Sequence, residues 1–138
     1  MKRKSALVFL ELAVLLLVLA VAGALCLQAF TKAELRSREI YCQDRAMATL
    51  QNAAEILQHS RGDLSDACDV LGGVVEKNVW RLFLDENWAV SSQEREYCLE
   101  ASPEPCDTPL LGSVRLTLTD ATGREIACLS VHYQEVRP

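Results

Sequence analysis

The sequence predicts an α+β protein in which one long N-terminal helix packs on a small antiparallel β-sheet. Residues 1–60 contain one glycine, Gly23, and no proline, a composition that favours an uninterrupted helix. After Gly73 apolar and polar residues alternate, as they do in strands with one buried face. A chain of 138 residues with these two patterns has room for one membrane segment and one small domain.

Residues 7–30 form an almost entirely apolar run that is interrupted near its start by Glu11. A helix of this length measures about 36 Å, enough to span the roughly 30 Å of a bilayer core. Lys2, Arg3 and Lys4 precede the run, so the positive-inside rule places the N-terminus in the cytoplasm and the rest of the chain outside. That outer part carries 11 Lys and Arg against 18 Asp and Glu, which argues against direct nucleic-acid binding.

The apolar run has three interpretations: a plain membrane anchor, a secretory signal cleaved after the small residues Ala22–Ala24, and a lipoprotein signal ending at Cys26. Glu11 opposes the first two, because a carboxylate in a span costs about 2.5–3.5 kcal/mol when central and less near an end. A cut between Ala6 and Leu7 would create an α-amino group one helical turn from this acid. In a stack of such helices, that amine and a neighbour's Glu11 could pair.

The segment KRKSA-LVFLELAVLLLVLAVAGAL resembles the class III signal of type IV pilins and type II secretion pseudopilins. The resemblance implies that Ala6 precedes the cut, that Leu7 becomes an N-methylated N-terminus, and that Glu11 is the assembly glutamate. The sequence departs from the family in having Ala6 where Gly is usual and Leu7 where Phe or Met is usual. The resemblance also implies a pilin-like fold, in which residues 1–6 are the leader and residues 7–30 are the transmembrane helix.

The same resemblance implies a set of partners and a location. The partners are prepilin peptidase, other pilin or pseudopilin subunits, the lipid bilayer, and, indirectly, a membrane platform protein and an assembly ATPase. The chain is then a single-pass protein of the cytoplasmic membrane whose C-terminal domain is extracytoplasmic, in a surface or periplasmic filament once assembled. The competing interpretation is a single-pass membrane protein with an extracytoplasmic binding domain and no filament.

Residues 31–61 continue as an amphipathic stalk helix, because their apolar residues recur at helical spacing. The predicted stripe is Ile40, Met47, Leu50, Ala54 and Leu57. Residues 62–77 form a connector in which Gly62 suits the helix C-terminal cap and Asp63–Leu71 can make one short helix with Asp63 as its N-cap. Asp63, Asp66 and Asp69 form an acidic cluster, but their spacing of three lacks the alternate-residue pattern of a calcium loop, which favours a solvated acidic face.

Residues 78–138 form an antiparallel meander of four or five strands, with one face free to cover the stalk helix. The predicted strands are Asn78–Leu84, Trp88–Ser91, Glu94–Ala101, Ser113–Thr119 and Arg124–Gln134. Asp120–Gly123 is a hairpin turn, and Ser102–Pro109, which holds three of the four prolines, is a loop.

Chemistry-bearing side chains are few. Cys98 and Cys106 flank the proline-rich segment and could close a small disulfide loop or remain as inert thiols. His59 and His132 lie outside any nucleophilic, metal or phosphate-binding motif. We therefore expect neither an enzyme nor a bound cofactor or metal.

Overall fold

The computed structural model describes residues 2–135 of the chain. Within them the elements are α1 (Lys2–His59), α2 (Leu64–Leu71), β1 (Val74–Glu76), β2 (Val79–Leu84), β3 (Tyr97–Glu104), β4 (Leu111–Asp120) and β5 (Glu125–Gln134). Two compact units divide at Tyr41 and Cys42, and α1 contributes to both. The predicted α+β class is confirmed: one long N-terminal helix packs against an antiparallel sheet.

The first unit consists of α1 up to Tyr41, and its described side chains are exposed on all sides. Gly23 does not interrupt the helix, and apart from its chain neighbours and the backbone of the adjacent helical turns nothing lies within 4 Å of where its Cβ would be. The helix also runs unbroken through residues 6–7 and 30–31. The boundaries of leader, membrane segment and stalk therefore coincide with no structural break and stay predictions.

The last turns of α1 provide the helical side of the core in the second unit. Their buried residues are Ala46, Leu50, Ala53, Ala54 and Leu57. Leu50, Ala54 and Leu57 were predicted as part of the apolar stripe, and they are buried. The other two predicted stripe residues, Ile40 and Met47, are not buried, because their side chains are 57% and 40% exposed. A strict seven-residue repeat drifts by about 20° per heptad on a straight helix, so Met47 lies at the edge of the buried face.

Helix α1 ends in a pair of backbone hydrogen bonds that satisfy its terminal carbonyls. The Gly62 amide donates to the Leu57 carbonyl at 2.7 Å, and the Arg61 amide donates to the Gln58 carbonyl at 3.3 Å. This is the Schellman pattern. Gly62 belongs to the C-terminal cap, as predicted. Arg61, the residue before it, already has a left-handed backbone conformation, with φ 54°.

The expected short helix in the connector is present as α2. Its N-cap is Asp63, whose carboxylate accepts a hydrogen bond from the Ser65 amide at 2.9 Å. Leu64 and Ala67 are buried in the core, and the helix stops where the Gly72 amide donates to the Cys68 carbonyl. The short helix and its cap are both confirmed.

The strands form one sheet in the order β1-β2-β3-β4-β5, with every neighbouring pair antiparallel. The predicted meander is confirmed, but it begins at Val74 rather than at Asn78. Strand β1 escaped prediction because it has three residues and follows two glycines. Lys77 and Asn78 join it to β2, both with positive φ (51° and 63°), as a type I′ hairpin turn requires.

The predicted return strand Trp88–Ser91 is wrong. Its pairing with β2 is limited to an isolated bridge between Leu84 and Val90. The Asp85 carboxylate accepts hydrogen bonds from the amides of Asn87 and Ala89, which curls the chain into a turn. Strand β3 takes the place beside β2 instead.

The predicted loop Ser102–Pro109 is also wrong in its first three residues, which extend β3 to Glu104. Strand β2 stops pairing with β3 at Ala101, so β3 is an edge strand beyond that point and bonds only to β4. Pro103 is tolerated there because an edge position needs no amide donor on its open side.

The sheet buries one face against α1 and α2. The buried apolar residues of the strands are Trp80, Leu82, Leu84, Leu99, Ala101, Val114, Leu116, Leu118 and Val131. They alternate with exposed or half-buried residues, which is the pattern of a one-sided sheet. Trp80 is completely buried, and its indole Nε1 donates to the Gly72 carbonyl at 2.9 Å, so the sheet is tied to the end of α2.

Candidate functional site

The N-terminal apolar segment is the first candidate site. Within residues 2–135, α1 is the one helix long and apolar enough to cross a membrane, by length and composition, and the apolar window has no buried residue. Leu7, Phe9 and Phe30 are 64%, 74% and 75% exposed. Side chains of this kind require lipid or other apolar helices around them.

Ala6, Leu7 and Glu11 all lie in α1 and are exposed. Leu7 and Glu11 are four residues apart, so helical geometry places them on one face, with Glu11 about 6 Å further along the axis. No residue in the described range 2–135 forms an ion pair or hydrogen bond with the Glu11 carboxylate. Leu7 and Glu11 thus share one exposed face of α1, and the Glu11 carboxylate has no partner within residues 2–135.

The possible disulfide between Cys98 and Cys106 is not formed in this structure. Both residues are free thiols, and β3 is extended from Tyr97 to Glu104. An extended strand rises about 3.3 Å per residue, which puts Glu104 roughly 20 Å from Cys98. The two residues that follow cannot bring Cys106 back to the about 7 Å that a disulfide requires.

The surroundings of Cys98 and of Cys128 raise the pKa of these two thiols. Burial raises the pKa of Cys98, with a smaller contribution from Glu100. A hydrogen bond with Glu125 and the charge of that carboxylate raise the pKa of Cys128. Both shifts disfavour the thiolate, which is the reactive form of cysteine.

A second feature, which the sequence did not indicate, lies where Tyr97 faces α1. The rings of Trp88 and Tyr97 stack with their centroids 4.1 Å apart and their planes at 13°. The Cys42 thiol lies 3.9 Å from the Tyr97 hydroxyl, and burial together with this contact raises the pKa of Tyr97 to about 12. Trp88 adopts φ 65°, which is uncommon for a bulky residue. No sequence signal marks this pairing, because it depends on the turn that begins at Asp85.

A third feature is an open groove of about 600 Å³ between the end of α1 and α2, which we call the acidic groove. It is lined by Glu55, Ile56, His59, Ser60, Asp66, Asp69 and Val70. Glu55 and Asp66 come from different helices, which the turn after His59 folds together. Asp63, the third member of the acidic cluster in the sequence, serves as the α2 cap instead. No group of three or more His, Cys, Asp or Glu in residues 2–135 is arranged to hold a metal ion.

The polar face of the sheet carries ion pairs that are largely exposed. Arg81 pairs with Glu100 at 3.1 Å, and Arg115 pairs with Glu104 at 2.9 Å. Pairs this exposed contribute little to stability, with a typical value below about 1 kcal/mol. His132 is exposed and pairs with Ser113 in the register of β4 and β5.

No family model matches the chain, no curated protein is detectably similar to it, and no solved structure matches its fold significantly. What can be stated of function therefore rests on the residues and their geometry: an apolar helix able to span a membrane, followed by a small helix-and-sheet domain.

Proposed function

We propose that this chain is a prepilin-like subunit, a minor pilin or pseudopilin, of a type IV pilus, type II secretion or competence-type filament. Prepilin peptidase removes the leader 1–6, and residues 7–30 then hold the subunit in the cytoplasmic membrane until assembly. A platform protein and an assembly ATPase act on it indirectly. The filament core consists of packed 7–30 helices from successive subunits.

Glu11 is the observation that carries this proposal. It is exposed in an otherwise apolar helix and unpaired within residues 2–135, so in a bilayer its charge has an uncompensated desolvation cost. The new α-amino group of Leu7 on a neighbouring subunit supplies the opposite charge. Assembly exchanges lipid contacts for helix–helix contacts and satisfies the acid at the same time.

The arrangement of the remaining elements supports the proposal. Helix α1 continues past the apolar segment to His59 without a break, and its last turns pack on an antiparallel meander. This order of elements is the one that the resemblance of the N-terminal signal implies. The proposed role is mechanical rather than catalytic.

Intact-mass analysis of the protein extracted from membranes tests the processing step. We expect the loss of Met1–Ala6, with a methyl group on the new N-terminus. An uncut chain in a host that contains the peptidase would contradict the proposal. It would favour the alternative of a single-pass protein with an extracytoplasmic binding domain.

The variant Glu11→Leu tests the role of the acid. Membrane insertion should be retained or improved, because the carboxylate opposes it, while recovery in sheared filaments falls. The matched control is the double variant Leu10→Glu, Glu11→Leu, which keeps the composition and charge but turns the acid by about 100° around the helix. It should also fail to assemble; normal assembly of either variant removes the proposed role of Glu11.

A further inference from the structure

The acidic groove carries carboxylates without partners and an exposed apolar side chain. Within residues 2–135, Glu55, Asp66 and Asp69 form no ion pair or hydrogen bond through their carboxylates. Asp69 lies in the last turn of α2, where the helix dipole disfavours an anion, and no basic residue offsets it there. Val70 beside it is 67% exposed, so the groove combines unpaired negative charge with uncovered apolar surface.

The first unit carries a surface of the opposite charge, which we call the basic patch. It is lined by Ala29, Lys32, Ala33, Leu35 and Arg36. Neither Lys32 nor Arg36 has an ion-pair partner in the described part of the chain, whereas Arg38 is paired with Glu34. The side chain of Leu35 is 62% exposed and that of Ile40 is 57% exposed. Ile40 lies one helical turn after Arg36, on the same face of α1.

From these two surfaces we propose that the acidic groove of one subunit binds the basic patch of a second copy of this chain. The proposal rests on the filament function above and names one contact between its subunits. Unpaired acids meet unpaired cations, and the apolar side chains of both surfaces are covered together. Because the two surfaces differ, the contact is head-to-tail, and such a contact generates open helical filaments rather than closed dimers.

The second copy is a better occupant than the alternatives. A metal ion would need converging ligands, and the described residues form no such cluster. A basic segment of another protein would satisfy the groove but would leave the basic patch and its exposed Leu35 uncovered. When the groove of each copy binds the patch of the next copy, the charged and apolar side chains of both surfaces are covered in every subunit along the filament.

Site-specific photocrosslinking in cells tests the contact. The full chain carries benzoylphenylalanine in place of Val70, and crosslinked products are identified by mass spectrometry of their peptides. The expected product joins the labelled position to residues 29–40 of another copy. A control label in place of Glu86, which is exposed in the turn after β2, should give no such product. Crosslinks from Val70 only to another protein or to lipid, or none at all, overturn the proposal.

Charge exchange provides a second measurement. Asp69→Lys should reduce the crosslinked product and the sheared-filament yield by at least about fivefold, and Arg36→Glu should do the same. The combination of both should restore most of the yield, because the pair is reformed with its signs exchanged. Yields in the combined variant no better than in either single variant would contradict the contact.

The variant Asp69→Asn tests whether Asp69 acts in the contact between subunits or only in the stability of its own domain. Removing an anion from the C-terminal turn of α2 should raise the Tm or leave it unchanged, while filament yield falls. A parallel loss of Tm and yield would indicate a folding defect and would overturn the assignment of Asp69. If cleavage and filaments are normal but Val70 does not crosslink to residues 29–40, this contact alone fails. An uncut chain without filaments refutes the proposed function itself.

Discussion

Tyr97 stacks on Trp88 at a centroid distance of 4.1 Å while its hydroxyl lies 3.9 Å from the Cys42 thiol of α1. The residue therefore joins three parts of the second unit: the long helix, the turn after β2 and the start of β3. Trp88 adopts a left-handed backbone conformation in this arrangement, with φ 65°. The stacking and the burial of both rings offset the cost of that conformation.

We predict that stability falls at alkaline pH through Tyr97. Burial and the Cys42 contact raise its pKa from 10.0 to about 12, so the native state holds this proton more tightly than the unfolded state. The contribution is complete below pH 10 and is lost as the pH rises through about 12. Absorbance titration of the phenolate near 295 nm should show a late transition that is missing in Tyr97→Phe. A Tyr97→Phe variant that retains the full late transition would contradict the assignment.

A second prediction concerns Tyr133 and the glycine opposite it in the sheet. Gly112 pairs with Tyr133 across β4 and β5, and a Cβ built at Gly112 would lie 2.2 Å from the Tyr133 ring. Gly112→Ala should lower the free energy of unfolding by about 1–3 kcal/mol, because the half-buried ring must move. In a Tyr133→Ala background the same change should cost much less. Urea unfolding of the full chain in detergent measures the cycle, and simple additivity would show that the ring is not the obstacle.

A third prediction tests how the sheet is tied to α2. Trp80→Phe removes the only polar atom of a fully buried side chain and leaves the Gly72 carbonyl without its donor. The lost volume and the unpaired acceptor together should cost about 2–4 kcal/mol of unfolding free energy. Trp88 remains as the fluorescent reporter. Trp88→Phe serves as the comparison and should cost less, since Trp88 is only half-buried and a phenyl ring can still stack on Tyr97.

A fourth prediction is stabilising. Lys77 and Asn78 both have positive φ in the β1–β2 turn, where Asn-Gly is the preferred pair. Lys77→Asn combined with Asn78→Gly should raise the free energy of unfolding by about 0.5–1 kcal/mol. The denaturation midpoint should rise without a change in the slope. A lower midpoint would show that the backbone there is not left-handed.

The site was only partly predictable from the sequence. Glu11 could be singled out from the sequence because a carboxylate in an apolar run is anomalous wherever the helix lies. The acidic groove could not, because Glu55 and Asp66 become neighbours only when the turn at Arg61 and Gly62 folds α2 back against α1. The same holds for the two alternatives left open for Cys98 and Cys106: although these residues are close in sequence, the extended strand that follows Cys98 keeps them apart as free thiols.

Local rules were enough for the class of fold, the unbroken α1, the Asp63 cap and the antiparallel meander. Helical continuity, side-chain capping and alternation with period two act between residues that are close in the chain. Tertiary structure alone decided which helical face is buried, where β3 ends and which partner Tyr97 finds. Those outcomes depend on where the sheet covers α1 and where β2 stops covering β3, and both are set by contacts between residues far apart in sequence.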